Sequence, residues 1–515
     1  MAHEDEVLAW WIETATPVLK RWVDHEPLES IQRLNSIQGL VDECLGVLEE
    51  ALFNAVFERL HERAAEVARR CLVCGLGCER ERKTVRVRTT RCTLEVDVWR
   101  YRCRTCRTNR SPVREWLGLE SGATTAGLDR ALTALSTQMS FGAAAQQMQE
   151  QHGHAVDRTL VERRTYAVGH DAVDYLAQRR SERVAQVIDE VGVRQGAERV
   201  LLQVDSGAVP VGQLVRPKRN PKDKNQELTL VRRLPKGRRP KTKREVRVAL
   251  AWQPGVVENK VVDVHIAPLK HPEFTGERMY VAALEAGMGD STHAHCTCDM
   301  AQWQVLQFEE QFGAQPTHSL CADFYHTLEY VSAAAKALQP QADKIPSWIA
   351  MQARRLKQGD RQSILADLRK HACKRGPCPR TDQDECTVAA AIRYLTRNGK
   401  HMDYPRFIAE ELPIGSGEVE GRIRHIVRRR LDVPGDWRED NLVLLTALLT
   451  IRHSGWWDDF WDWQDQRDKK RFQRRLLGEG LNRFRGPRKP RLVTKGTESL
   501  ELDGLSPMFQ RANMG

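Results

Sequence analysis

Two Cys-x-x-Cys pairs are the most specific chemical signal in the sequence. Cys71 and Cys74 form the first pair, and Cys103 and Cys106 form the second. Four thiolates carried on two such turns can close a tetrahedral zinc site, which replaces the core that so short a segment cannot build. The residues between the pairs alternate as Thr-Val-Arg-Val-Arg and Leu-Glu-Val-Asp-Val-Trp, which is the periodicity of strands. The sequence therefore predicts a zinc ribbon over residues 71–110.

The remaining cysteines give weaker signals. Cys78 and Cys92 are either alternative zinc ligands or small hydrophobic residues. Three later cysteines would make a second zinc site only with a fourth ligand: Cys373, Cys378 and Cys386. The chain has 13 cysteines, an odd number, and their pairing favours reduced, metal-binding thiols in the cytoplasm over a disulfide framework.

Carboxylates at three distant positions could carry metal-dependent phosphodiester chemistry. Two divalent ions roughly 3.5–4 Å apart activate a water molecule and stabilise the leaving oxygen, and both prefer oxygen ligands. Asp205 follows the apolar run 199–204, Asp299 follows His-Cys-Thr-Cys, and Glu420 lies in the first turn of an expected helix. Spacing alone does not show whether these three residues converge.

Short apolar runs and their breaks predict the elements that would position these carboxylates. Strands are expected at 199–204, 245–252, 260–267 and 318–322, and a helix at 276–286. The first of these strands is expected to end in a loop at Asp205. Three strands in succession, followed by strands that alternate with helices, predict a ribonuclease-H-like α/β domain.

The fold class is predicted to be multidomain α+β, with an all-α insertion in the catalytic domain. The expected domains are a helical region at 1–70, the zinc ribbon at 71–110, a helix-turn-helix-like region at 111–195, the first part of the ribonuclease-H-like domain at 196–330, the insertion at 331–405, the final helices of that domain at 406–465 and a basic tail at 466–515. In the third of these, a helix at 141–149, a break at Gly153 and a longer helix from Asp157 resemble a helix-turn-helix. The second helix carries Arg158, Arg163 and Arg164. Helical pairs of this kind are also common in α-rich proteins of other function.

The charge distribution indicates a polyanionic partner. The formal net charge is +11, and basic residues are concentrated at 216–247 and 469–495. Neutralising phosphates with such runs releases counterions and favours nucleic-acid binding, although either run alone is also compatible with a solvated surface.

The longest nearly apolar stretch, 442–451, is far shorter than the about 20 residues that a membrane helix needs, so a buried helix is expected there. The acidic N-terminal residues lack the basic region followed by an apolar stretch that marks a secretory signal.

Several motifs resemble bacterial insertion-sequence transposases of the ISKra branch, which are relatives of the Mutator-like DDE enzymes. Met402-Asp-Tyr-Pro-Arg406 and Leu412-Pro-Ile-Gly-Ser-Gly-Glu-Val-Glu420 are similar to the C-terminal signature of that family. Val204-Asp-Ser-Gly207 occupies the place of the first-Asp motif, and Cys298-Asp-Met-Ala-Gln-Trp303 that of the second. Asp323-Phe-Tyr-His326 is similar to the segment that follows. Together with the cysteine ribbon, these motifs cover most of residues 71–463.

The resemblance implies a catalytic triad of Asp205, Asp299 and Glu420 that binds two Mg²⁺ or Mn²⁺ ions, with Asp323 and His326 in supporting roles. The alternatives are Glu418 in place of Glu420, and Asp323 in place of Asp299. The sequence departs from the family pattern next to both aspartates: Ser206 stands in place of a glycine, and Cys298 and Met300 flank Asp299 in place of two glycines.

The expected partners are double-stranded DNA, both as terminal inverted repeats and as target, and further copies of the chain. No membrane is expected, and the expected location is the bacterial cytoplasm with the nucleoid. The residues predicted to contact DNA are Arg216, Lys218, Arg219, Arg238, Arg239, Lys241, Arg424, Arg428, Arg430 and Trp437. Two other hypotheses remain: a catalytically inactive DNA-binding relic, and a nuclease of the same fold that cuts DNA without joining it.

Overall fold

The computed structural model describes residues 9, 12–13, 16–17, 20, 34–119, 123–189, 193–212, 242–256, 260–267, 273–338, 341–371, 386–433 and 437–476. The fold is mixed α+β. The chain divides into two compact units, the first formed by Met1–Val168 with Trp461–Thr494 and the second by Gly169–Phe460 with Lys495–Gly515. In the part of the chain that the structure describes, no helix is long and apolar enough to cross a membrane.

The first unit contains a small sheet packed on a long helix. Its elements are α1 (Leu34–Ala68), β1 (Glu79–Arg88), β2 (Thr93–Arg102), β3 (Asn109–Arg110), α2 (Pro112–Leu117) and β4 (Ala123–Thr124), and the strand order is β3-β2-β1-β4. β1 and β2 are the strands that the alternating pattern predicts, and they pair antiparallel as a hairpin. Phe57 and Ala64 of α1 pack against Val87, Val96 and Val98 of the hairpin, so the inward side chains of the strands and one stripe of the helix share a core.

Three helices follow the small sheet along the chain, and the predicted helical pair is confirmed. They are α3 (Ala126–Ser136), α4 (Phe141–His152) and α5 (Arg158–Asp189), the last of which continues into the second unit. The Ser140 hydroxyl accepts a hydrogen bond from the Ala143 amide and caps α4. Gly153 ends α4 in the left-handed conformation with φ 65°. Arg164 forms an ion pair with Asp129 of α3, which assigns this arginine to packing between helices.

A five-stranded sheet forms the centre of the second unit. Its strands are β5 (Arg199–Val211), β6 (Thr242–Trp252), β7 (Val261–Ile266), β8 (His293–Cys298) and β9 (His318–Ala322), in the order β7-β6-β5-β8-β9. β6 pairs antiparallel with both β5 and β7, whereas β8 and β9 run parallel to β5. The expectation that the first strand ends at Asp205 is wrong. Asp205 pairs with Val248, and the pairing with β6 continues to Val211.

The other elements of the second unit in the described residues are helices. They are α6 (Glu273–Glu285), α7 (Gln302–Phe312), α8 (Phe324–Leu338), α9 (Ile345–Lys357), α10 (Arg361–His371), α11 (Thr387–Arg397), α12 (Tyr404–Ala409), α13 (Gly417–Arg422) and α14 (Glu439–His453), while α15 (Trp457–Leu476) begins in this unit and continues into the first. A π-helix, Ile423–Leu431, continues directly from α13. α14 covers the edge strand β7, whose Val262 and Val264 amides donate to Ser454 Oγ and Thr450 Oγ1. The buried helix expected at 442–451 is confirmed.

Candidate metal centres

Four thiols of the first unit form a compact cluster. The Sγ atoms of Cys71, Cys74, Cys103 and Cys106 all lie within 4.8 Å of one another. The Sγ atoms of Cys74 and Cys103 are 3.5 Å apart. A tetrahedral zinc ion with Zn–S bonds of about 2.3 Å would hold its sulfur ligands about 3.8 Å apart. The dimensions of the cluster therefore fit a metal ion such as zinc.

The first turn stabilises the thiolate of Cys71, whereas contact with the Cys74 thiol raises the pKa of Cys106 to about 12. The Val73 amide donates to Cys71 Sγ and the Cys106 amide donates to Cys103 Sγ, each over 3.4 Å. The Thr108 hydroxyl lies 3.4 Å from Cys71 Sγ, and this hydroxyl, followed by the backbone amides, lowers the pKa of Cys71 to about 6. Thiolates are the ligands that metals require, so the four cysteines could hold a metal ion.

The alternative ligands Cys78 and Cys92 are not members of this cluster. Cys92 lies 3.7 Å from the Thr89 hydroxyl in the β1–β2 turn. Burial, as the largest cause, raises the pKa of both thiols. Cys373 and Cys378 of the possible second zinc site lie outside the described residues.

Three aspartates lie at the same level of three neighbouring parallel strands in the second unit: Asp205 within β5, just beyond its last pair with β8, and Asp299 and Asp323 directly after β8 and β9. The last pair between β5 and β8 is Gln203 with Thr297, so Asp205 and Asp299 each follow that pair by two residues. Asp323 comes directly after β9, and its amide donates to Cys298 O over 2.9 Å. Adjacent strands lie about 4.8 Å apart, and residues at equivalent positions of parallel strands point to the same face. The sheet thus brings the three carboxylates to one edge.

The helix that carries Glu420 lies across β5 on the face where Asp205 projects. Gly207 shares that face, because side chains two residues apart in a strand point the same way. A Cβ atom built on Gly207 would lie 2.7 Å from Val427 Cγ1, so this glycine permits the close approach of the π-helix. The Ser416 hydroxyl donates to Glu420 Oε1 over 3.0 Å, which orients the exposed glutamate.

The carboxylates of this group affect one another electrostatically. Burial is the main cause that raises the pKa of Asp205, and the negative charge of Glu420 raises it further. Burial likewise raises the pKa of Asp299 to about 6, with additional contributions from the charges of Asp205, Asp323 and Glu420. In a group of close, partly buried carboxylates, raised pKa values mean that a nearby positive charge would stabilise the ionised forms. Its donor set therefore fits a hard divalent cation.

The carboxylate group is less compact than the thiol cluster. Among the described residues, the four thiols are the one group of three or more acidic, cysteine or histidine side chains whose ligand atoms all lie within 4.8 Å. The structure brings Asp205, Asp299 and Glu420 into one region, but their carboxylate oxygens do not all lie within 4.8 Å of one another.

The side chain of Asp323 is hydrogen-bonded to backbone amides. Its side chain is fully buried, and its carboxylate accepts hydrogen bonds from the amides of Ser416 and, over 2.6 Å, His326. These bonds fix the start of the Glu420 helix against the end of β9. The geometry favours a supporting role for Asp323 over that of a metal ligand in place of Asp299.

His326 lies beside the carboxylates and packs on aromatic side chains. Its ring centroid is 5.7 Å from that of Tyr394, and its Nδ1 is 3.2 Å from Glu329 Oε2. The proximity of His326 lowers the pKa of Asp299, against the larger effect of burial. The Tyr394 hydroxyl donates to the backbone oxygen of Asp299 over 3.2 Å, which ties this residue to the helical insertion.

The two competing glutamates have different partners. Glu418 Oε2 is 2.8 Å from Lys260 Nζ, in an ion pair at the surface. Glu420 instead raises the pKa values of Asp205 and Asp299 through its charge. Its position favours Glu420 as the third carboxylate of the group.

The predicted DNA contacts separate into three sets. Arg424 and Arg428 are exposed on the π-helix. Arg430 and Trp437 are buried, 2% and 9% exposed, which disfavours direct contact of these two side chains with DNA. The Arg430 guanidinium lies 5.4 Å from the Trp437 ring, whose Nε1 donates to Leu431 O. The remaining predicted contacts lie outside the described residues: Arg216, Lys218, Arg219, Arg238, Arg239 and Lys241.

Sequence reasoning missed two buried glutamines, Gln203 and Gln304, which link β5 to the elements that carry Glu420 and Asp299. For Gln203, the one available signal was an amide inside an apolar run.

No family model matches the chain, and no curated protein matches it.

Proposed function

We propose that this protein is a metal-dependent DDE transposase that cuts and joins DNA. The observation that carries the proposal is the position of Asp205, Asp299 and Glu420, which lie in one region of the second unit, where the charge of Glu420 contributes to raising the pKa values of the two aspartates. The strand order β7-β6-β5-β8-β9, with three antiparallel strands followed by two parallel ones, supports a ribonuclease-H-like domain around them. The motifs that resemble the ISKra branch include all three carboxylates.

Asp205, Asp299 and Glu420 would hold divalent ions, with Mg²⁺ or Mn²⁺ favoured by the oxygen donor set. When bound, such ions lower the pKa of water and stabilise charge on the attacking and leaving oxygens of an in-line displacement. Asp323 holds the loop before Glu420 in place, and Ser416 orients the glutamate. In the proposed reaction, water attacks a phosphodiester and frees a 3′-hydroxyl, which then attacks a phosphodiester of the target DNA.

The exposed Arg424 and Arg428 follow Glu420 along the same continuous helix, so they would bind phosphates next to the scissile bond. In the first unit, the four thiols would hold a structural zinc ion. The ribbon and the helical pair α4–α5 would bind the terminal inverted repeats. Synapsis of two such ends calls for more than one copy of the chain. This activity belongs in the bacterial cytoplasm, at the nucleoid.

The test is an assay of strand cleavage and joining with Mg²⁺ or Mn²⁺. The substrates are a linear duplex that carries the terminal inverted repeats flanking the gene and a supercoiled plasmid as target. We expect Asp205→Ala, Asp299→Ala and Glu420→Ala to bind the repeats but to lose cleavage by at least about a hundredfold, because a lost metal ligand removes several kcal/mol of transition-state stabilisation. Glu418→Ala, the matched control, is expected to retain activity.

Each alternative predicts a different result. Wild-type protein that binds the repeats without cutting them would be a DNA-binding relic, and the proposal would be wrong. Cleavage without joining would indicate a nuclease. An active Glu420→Ala variant together with an inactive Glu418→Ala variant would make Glu418 the third ligand.

A further inference from the structure

Gln203 connects the strand that carries Asp205 to the helix that carries Glu420. This residue of β5 is 1% exposed. Its Nε2 donates to Gly415 O and its Oε1 accepts from the Val419 amide, both over 2.9 Å. The two bonds hold both sides of the turn into α13 with one amide group. Gln203 and Asp205 also project from the same face of β5, because they are two residues apart.

Gln304 makes the corresponding connection to the loop that carries Asp299. It lies in the first turn of α7 and is 3% exposed. Its Nε2 donates to the backbone oxygen of Val204 over 3.0 Å, and its Oε1 accepts from the Ala301 amide over 2.9 Å. The backbone directly before Asp205 is thereby bonded to the loop directly after Asp299.

A side-chain amide with a donor and an acceptor both engaged fixes two partners relative to each other. Because both glutamines are buried, breaking either bond would leave an unsatisfied polar group, which makes the connection rigid. Metal-binding side chains must be held within about 0.5 Å of the productive geometry, and residues behind the ligands supply that restraint. Gln203 is a residue of β5, and Gln304 bonds the backbone oxygen of the next residue, Val204, so both connections meet the strand directly before Asp205.

We propose that Gln203 and Gln304 are positioning residues that set the spacing of Asp205, Asp299 and Glu420, and thereby the affinity of the site for divalent cations. This inference rests on the proposed function. It assigns the two amides no contact with DNA or with the reacting atoms. Their loss should weaken cation binding and lower kcat, while KM for DNA stays unchanged.

The test is calorimetric titration of Mn²⁺ into the zinc-loaded full chain, with Gln203→Met and Gln304→Met compared with wild type. The matched control is Gln352→Met, which removes a fully buried amide of α9 whose Oε1 accepts from Arg355, outside the carboxylate site. We expect both site variants to bind Mn²⁺ about 10- to 100-fold more weakly, the size of effect that outer-sphere residues have on metal affinity. The control is expected to match wild type in affinity, and the titrations are run at a temperature at which all variants remain folded.

Hydrogen exchange gives a second, local measurement. The amides of Val419 and Ala301 should exchange faster in the Gln203 and Gln304 variants respectively. Should Gln203→Met fail to fold, Gln203→Asn keeps a buried amide that is one methylene too short to reach both partners, and it should show the same loss of affinity. Equal Mn²⁺ affinity in wild type and the site variants would overturn this inference alone. A wild-type chain that binds no Mn²⁺ would overturn the proposed function as well.

Discussion

The thiol cluster and the carboxylate group are assembled in different ways. The four thiols come from one short segment, and their sulfur atoms already lie within 4.8 Å of one another. The carboxylates come from one strand, from the loops after two neighbouring strands and from a helix much later in the chain. One hydrogen bond that joins these parts, from the Val419 amide to Gln203, spans 216 residues. Local turns build the first site, whereas the whole second unit builds the other.

The two groups also differ in how their ligands affect the stability of the fold before a metal binds. Neutral thiols pack together without repulsion, and neighbouring amides and a hydroxyl stabilise the thiolate of Cys71. Ionised carboxylates repel one another, and burial together with that repulsion raises the pKa of Asp299 to about 6. A thiol site of this kind stabilises a fold. A carboxylate site of this kind reduces stability, which is typical of sites that serve chemistry.

The largest expected effect is the loss of a thiol ligand. Cys71→Ser should release zinc and unfold the ribbon, because zinc binding to a site of this kind contributes on the order of 10 kcal/mol to folding. Cys78→Ser is the control and should keep full zinc content, since Cys78 lies outside the cluster. Zinc stoichiometry and the protease resistance of residues 34–119 measure both effects. Equal zinc loss in both variants would place Cys78 among the ligands.

Neutralising a carboxylate is expected to raise the stability of the protein, whereas losing a thiol lowers it. Asp299→Asn should stabilise the metal-free protein at pH 7.5 by about 2 kcal/mol, because it removes a buried charge whose pKa is raised to about 6. Glu418→Gln is the control at an exposed position and should change stability little.

The pH dependence follows from the sign of this shift. Between about pH 4 and pH 6 the folded state holds the Asp299 proton more tightly than the unfolded state, so wild-type stability rises as the pH falls through this range. The advantage of Asp299→Asn should therefore disappear near pH 4. Urea denaturation at both pH values measures it, and an advantage independent of pH would contradict the assigned shift.

A moderate effect is expected where the Glu420 helix meets β5. Gly207→Ala should destabilise the protein by about 1–3 kcal/mol, because its Cβ would lie 2.7 Å from Val427 Cγ1. Adding Val427→Ala should recover part of that loss. Gly421→Ala is the matched control, since a Cβ there meets nothing within 4 Å. Chemical denaturation compares these variants, and a neutral Gly207→Ala would show that the helix does not lie this close to the strand.

The smallest effect concerns DNA affinity. Arg424→Ala and Arg428→Ala should each weaken duplex binding several-fold and reduce the slope of log K against log salt by about 1. Arg430→Ala should instead lower the melting temperature without changing that slope, because Arg430 is buried. An unchanged salt slope in the Arg424 and Arg428 variants would remove the π-helix from the DNA interface.

Local patterns predicted the elements better than they predicted the contacts. The β1–β2 hairpin, the helical pair and strand β9 follow from periodicity and spacing, which a short window contains. The continuation of β5 beyond Asp205 depends on pairing with β6, which no short window shows. Burial of Arg430 and Trp437, and the bridging bonds of Gln203 and Gln304, are also decided by distant partners. Nothing in their residue types separates them from exposed polar or aromatic side chains.

The central claim is that Asp205, Asp299 and Glu420 form one cation site, and Mn²⁺ titration of the zinc-loaded chain tests it most directly. Wild type and Glu418→Gln should bind Mn²⁺ alike. Asp205→Asn, Asp299→Asn and Glu420→Gln should each lose that binding, while the zinc content stays constant. Mn²⁺ binding that is unchanged in all three variants would contradict the account, because the carboxylates would then not share an ion.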